Sequence, residues 1–213
     1  RRISTHAMEA AIEGYDTKSP VRAFTYAQEG HAFYCVVFDE GTWVYDANTQ
    51  MLYERTSLKS DLTAINRWRA NDYAKAYDKH IVADYLSGQL FELDLDTYDE
   101  NGNTIVRTAT SPPLHNNGNR INMARFELQV ESGAGLISGQ GSDPQVMLDW
   151  SDDGGKTFSN EHWTGLGAIG DFLKRAIFNR LGQFRTRTLR IRISDPIKIA
   201  ITGAAAALTP HQS

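Results

Sequence analysis

The sequence predicts a mainly β protein: a partial β-propeller-like meander followed by a β-rich domain that carries an Asp-box hairpin. Three observations lead there. Short β-rich runs, separated by Gly-, Asn- and Asp-bearing turns, recur at roughly the 8–12-residue spacing of an all-β domain. The run Ser151-x-Asp153-x-Gly155-x-Thr157-Phe158 has the residue order of an Asp-box. The one stretch that reads plainly as a helix, residues 4–13, is short and alanine-rich, with hydroxyl residues before it and Gly14 after it.

From residue 21 the chain alternates in the manner of strands. Residues 21–28, 31–38, 42–46 and 51–55 are expected to be four strands joined by tight turns at Glu29-Gly30, Glu40-Gly41 and 47–49, the layout of one propeller blade. A second unit of strands is expected at 65–70, 73–77, 80–85, 90–95 and 104–109, about 45 residues further on when 36–46 is compared with 81–95. Two blades do not close a ring, since propellers take four or more. The Pro- and Asn-bearing segment 111–120 is expected to be a linker. Beyond it, residues 123–130 read as a half-buried strand, and 168–181 is open between helix and strand. Residues 189–193 and 197–201 read as an antiparallel pair, and 206–213 as a flexible tail. The expected domains are a lead-in at 1–20, blades at 21–110, the linker, and a β-rich domain at 121–205.

The Asp-box has a physical logic. Gly154 and Gly155 supply positive φ at the tip of a reversal, and Asp153 is a short acceptor for backbone N–H groups within the turn. Such boxes recur on β-propellers, sialidases and other glycan-binding proteins among them, so a glycan-binding or glycan-cleaving propeller is the alternative function. The turn chemistry alone accounts for Ser151, Asp153, Gly155, Thr157 and Phe158, which makes the motif evidence of fold.

Composition is that of an ordinary globular chain, 41% hydrophobic and 23% charged over 213 residues. No run approaches the length of a membrane-spanning helix. The lone Cys35, in an apolar run, reads as a buried thiol. The formal charge of −4 argues against a surface that grips nucleic acid throughout, yet it is uneven. Eight basic and two acidic residues lie between Asp171 and Lys198, a local +6 that leaves about −10 elsewhere. Arg185, Arg187, Arg190 and Arg192 form a ladder within it. With Leu189, Ile191 and Ile193 buried, Arg190 and Arg192 are expected to project from the opposite face, either as a candidate interface for phosphates or an acidic neighbouring subunit or as a solvated sheet face with local ion pairs.

Cofactors and catalytic residues are not expected. The six histidines have no metal-ligand spacing, and the acidic run from Asp94 to Asn103 reads as a hairpin turn, its order unlike a calcium-binding EF-hand loop. No nucleophile elbow, phosphate-cradling loop or HExxH pattern occurs.

Several segments in order, namely Ser4-Thr-His-Ala-Met-Glu9, Thr42-Trp-Val-Tyr-Asp46, Val82-Ala-Asp84 with Ser87-Gly88, Leu148 to Phe158, Arg180-Leu-Gly182 and Arg190 to Pro196, resemble the packaged-DNA stabilisation proteins of short-tailed bacteriophages. The resemblance runs from about residue 4 to 204 and corresponds to the C-terminal portion of that family's longer proteins, so a missing N-terminal part is expected. It implies a virion tail hub or nozzle protein that assembles as a ring below the portal and helps hold packaged DNA. Its implied partners are the adaptor ring, tailspikes or fibres and the tail needle, with DNA in transient passage. No catalytic residue is carried over, and Phe158 stands where an Asp-box more often has Trp.

Overall fold

The computed structural model describes residues 2–61, 63–131 and 133–210, and the chain divides into two compact units between Asn103 and Thr104.

In the first unit, α1 (His6–Glu13) starts on Thr5, whose hydroxyl accepts the Met8 N–H at 3.2 Å, and stops at Gly14. None of its residues is buried. Then β1 (Arg22–Gln28), β2 (His31–Val37), β3 (Thr42–Asp46) and β4 (Met51–Arg55) make an antiparallel meander in sequence order, one blade. The expected bounds of these four strands agree with the observed ones to within a residue. Two two-residue strands, β5 (Ser57–Leu58) and β6 (Ala64–Ile65), pair with each other. They lead into β7 (Ala70–Ala76), β8 (Lys79–Asp84) and β9 (Leu90–Glu92), a second meander. Residues 66–69, expected to be strand, are instead a turn that brings Trp68 and Arg69 inward. Trp68 joins Tyr26, Cys35, Val44, Ala70 and Val82 in the core. The hairpin of β10 (Asp99–Glu100) and β11 (Asn103–Thr104) turns on Asn101 and Gly102, both at positive φ.

The two blades repeat at 38 residues, not the expected 45. Val44, Asp46, Thr49, Leu52, Tyr53 and Glu54 recur as Val82, Asp84, Ser87, Leu90, Phe91 and Glu92. The equivalence is structural: Val44 pairs across the sheet with Tyr53, and Val82 with Phe91. Asp46 accepts from the Asn48 N–H (2.9 Å) and the Thr49 hydroxyl (2.7 Å), and Asp84 accepts from the Ser87 N–H (3.0 Å) and the Ser87 hydroxyl (2.5 Å). Each aspartate also meets a cationic or ionisable side chain fifteen residues earlier, His31 at 2.7 Å and Arg69 at 2.6 Å. A buried carboxylate that caps its own turn thus marks the same corner of both blades.

The second unit is a sandwich of two sheets. One sheet runs β12 (Arg107–Thr110), β19 (Thr186–Ile193), β15 (Gln145–Ser151), β16 (His162–Gly165), with β13 (Leu114–His115) also on β19. In the other, β14 (Ile121–Val130) is flanked on one side by β17 (Ala176–Asn179) and β18 (Gln183–Phe184) and on the other by β20 (Ile201–Pro210). Met123, Phe126, Leu128, Val146, Leu148, Phe178, Leu189 and Ile193 fill the space between, each buried side chain contributing about 1.5–3 kcal/mol.

Several sequence expectations change here. The strand expected at 104–109 belongs to the sandwich as β12, and the expected linker 111–120 is stitched to β19 through β13 and through the Ser111 N–H on the Leu189 carbonyl (2.8 Å). The open segment 168–181 resolves into turns and β17. Residues 197–201 do not return on 189–193. The chain crosses to the other sheet, and 201–210, partly expected as a flexible tail, is β20 along β14. Its alanine run carries no periodicity, so only the free side of β14 makes it a strand. Residues 211–213 lie outside the described residues. In β14 a register shift between Met123 and Arg125 lets Met123 and Phe126 both face the core, which strict alternation forbids.

Candidate functional site: the Asp-box loop and the arginine ladder

The Asp-box lies in the sandwich, in the loop from β15 to β16, and not on a blade. Its turn is closed from within. Asp153 Oδ1 accepts from the Ser151 hydroxyl (2.7 Å), the Lys156 N–H (2.9 Å) and the Thr157 N–H (3.0 Å), while Oδ2 accepts from the Thr157 hydroxyl (2.6 Å). The Ser151 oxygen in turn accepts the Gly155 N–H at 2.8 Å. Gly154 and Gly155 have φ of +80° and +92°, which a Cβ would strain. The Thr157 side chain and backbone, followed by Ser151 and Lys156, hold the Asp153 carboxyl well below the usual carboxylate range.

The loop is fastened to the sheet by the arginines. On the outer face Asp149 stands opposite Arg190 in register, and its carboxylate takes a forked pair of hydrogen bonds from it (2.9 and 2.6 Å). Arg192 reaches the same carboxylate at 2.7 Å and also pairs with Glu161 at the far end of the loop. Phe158, the aromatic residue of the box, lies against the Arg190 guanidinium, 3.5 Å from ring centre to Cζ. Arg187 behaves differently. It shares the core-facing side of β19 with Leu189 and Ile193, is buried, and is enclosed by Trp150 (4.8 Å) and Phe184 (4.3 Å). Its fork binds both oxygens of Asp152 at 2.7 Å, and Nη1 donates to the Leu181 carbonyl. Arg185 donates to the Gly118 carbonyl.

The side chains of the ladder are therefore largely engaged within the chain, as the reading of local ion pairs has it. Arg187 points inward and is taken up by Asp152 and the Leu181 carbonyl, and Arg190 and Arg192 grip the Asp-box loop. The local +6 is offset in the same way, because Arg175, Arg187, Arg190 and Arg192 pair with Glu127, Asp152, Asp149 and Glu161, all from outside the segment. Sequence reading missed those acids. A hint was available in Asp149, the one charged residue in the run from Val146 to Trp150. Naming its partners required the β15–β19 register.

The other acids also serve local turns. Asp94 caps its own bend through the Asp96 N–H (3.1 Å) and the Thr97 hydroxyl (2.8 Å), and Asp99 accepts the Gly102 N–H at 2.7 Å. Among the described residues no group of three or more His, Cys, Asp or Glu is placed to hold a metal ion, and no helix is long and apolar enough to cross a membrane.

Two family models match the chain, each on one structural unit. The model described as Bacteriophage P22 Gp10, beta-propeller, matches residues 1–98, and the one described as Bacteriophage P22 Gp10, beta-sandwich, matches residues 107–209. A search of curated proteins found no match.

Proposed function

We infer the role of this chain from its family: it belongs to the Bacteriophage P22 Gp10 family of packaged-DNA stabilisation, tail-hub proteins, and is a phage structural protein. The reading is that it works in the virion by assembly and not by catalysis. It helps close the portal channel, keeps packaged DNA in place, and connects the adaptor ring with tailspikes and needle as one member of a homo-oligomeric ring made in the host cytoplasm.

The observation that carries this is the commitment of the charged groups. Asp149, Asp152 and Asp153, the acids in and beside the Asp-box, each hold a turn or an arginine, so none of them is free to serve as a glycosidase carboxylate. The arginines a DNA-gripping surface would need are themselves paired with acids, which suits a wall that DNA slides past. Arg187, Arg190 and Arg192 then bear on assembly indirectly, by fixing the Asp-box loop that a neighbour meets, and Arg185 by holding the turn at Gly118.

The test is native mass spectrometry of the chain with its phage's adaptor and portal, beside salt-titrated DNA binding. Ring formation or adaptor docking with weak DNA affinity at physiological salt is expected. Submicromolar DNA binding with a steep salt dependence, or turnover of soluble sugars by the chain, would overturn the reading.

A further inference from the structure

Trp163 is placed where an indole is costly. It sits on β16, which ends its sheet, opposite Met147, and remains 57% exposed although tryptophan is among the most highly buried side chains on average. Beside it a shallow trough of about 330 Å³ is lined by Gln140, Ser142, Asp143, Gln145 and Asp195 together with the backbone at Gly139 and Gly141. That volume is at the lower end of small-molecule sites. The Asp195 carboxylate accepts the Gln145 N–H at 2.7 Å, which fixes one wall of the trough.

The lining selects a chemical class. Two carboxylates and no lysine or arginine among the described lining residues disfavour phosphates and other anions. Amides, a hydroxyl and carboxylates disfavour a purely apolar ligand, because each would lose its water without a partner. What they suit is a ligand rich in hydroxyls, which donate to Asp143 and Asp195 and both donate to and accept from the Gln140 and Gln145 amides. The flat, exposed indole face adds a platform for the apolar C–H side of a sugar ring.

We propose that the trough beside Trp163 is a binding site for a neutral glycan, separate from the Asp-box. It does not depend on the tail-hub reading, since a chain that fails to assemble could still bind sugar here and the reverse also holds.

The four tryptophans of the chain give four indole N–H signals, which makes nuclear magnetic resonance the direct readout. The full chain is titrated with maltohexaose, cellohexaose and a soluble O-polysaccharide at up to tens of millimolar, with choline as a cationic comparison. The expected result is a saturable shift of the Trp163 indole by at least one neutral glycan; in Asp143→Ala, and in Trp163→Ala where that signal is lost, binding followed at the Gln140 and Gln145 side-chain amides is weakened about tenfold. The Trp150 signal, from the core of the same sandwich, should keep its folded position and report that both variants are folded. The proposal is overturned if none of these glycans moves the Trp163 signal, if binding is unchanged in both variants, or if choline alone moves it.

Discussion

The two units use the same side chain, an aspartate closing a turn, in opposite surroundings. In the blades Asp46 and Asp84 end buried strands, each only 4% exposed, and each is also bound by His31 or Arg69. In the sandwich Asp153 caps an exposed loop with hydrogen bonds from that loop and from Ser151 at the end of β15, while the buried acid, Asp149, sits mid-strand and holds two arginines. The blades combine turn and anchor in one residue. The sandwich divides them, so its loop chemistry and its sheet chemistry should fail separately. Charge follows the same division, with ten basic and seventeen acidic residues in 1–103 against twelve and nine in 104–213.

The largest expected effect is in the first unit. Asp84→Ala leaves the Arg69 guanidinium, itself only 11% exposed, without its forked partner, and should destabilise that unit by about 3–5 kcal/mol. Cys35 is the natural probe. It has no exposed surface, and burial pushes its thiol up to about 11, so at pH 8 a thiol reagent labels it only when the unit opens. Faster labelling with unchanged Trp150 and Trp163 indole signals is the expected outcome. Unchanged labelling would break the comparison.

Next comes Asp149→Ala, which strands Arg190 and Arg192. Both keep about a quarter of their side-chain surface in water and Arg192 keeps Glu161, so the cost should be nearer 2 kcal/mol and should appear in the melting of the sandwich.

Acid should sharpen the contrast. Burial works to raise the Asp46 carboxyl, but hydrogen bonds from Thr49, His31 and the Asn48 N–H outweigh it and bring it down to about 2. Arg69 first, then Ser87 and the turn backbone, also holds Asp84 below its ordinary range. A carboxyl with a lowered folded-state pKa stabilises the fold above its unfolded value, about 3.9, and that contribution disappears as pH falls through the folded value. Cys35 labelling after acid pulses should therefore accelerate from about pH 4 towards pH 2, and less so in Asp46→Asn.

The smallest effect belongs to the Asp-box. Asp153→Ala frees donors that water can reach, so the melting temperature should fall by less than in Asp149→Ala, with amide exchange quickened only at Lys156 and Thr157. A fall as large as that of Asp149→Ala would mean that the loop and the sheet are one cooperative element.

The strands of the first blade, the Asp-box turn and the all-β class are legible in the residue order, because period-two alternation, glycine at positive φ and aspartate acceptors act over a few neighbouring residues. The 38-residue repeat is equally present in the residue order, in the two Val-x-Asp-x-x-Ser/Thr runs, and differs from the 45 residues that separate 36–46 from 81–95. That 107–110 belongs to the sandwich, that 201–210 pairs with β14, and that Arg187 faces inward while Arg190 and Arg192 hold Asp149 depend on contacts between distant strands. Those outcomes join residues 35 to 89 positions apart, and which acid meets which arginine follows from the register of strands brought together by the core. No local pattern carries that register, so an arginine that reads as a free surface cation becomes a clamp once its neighbour strand is in place.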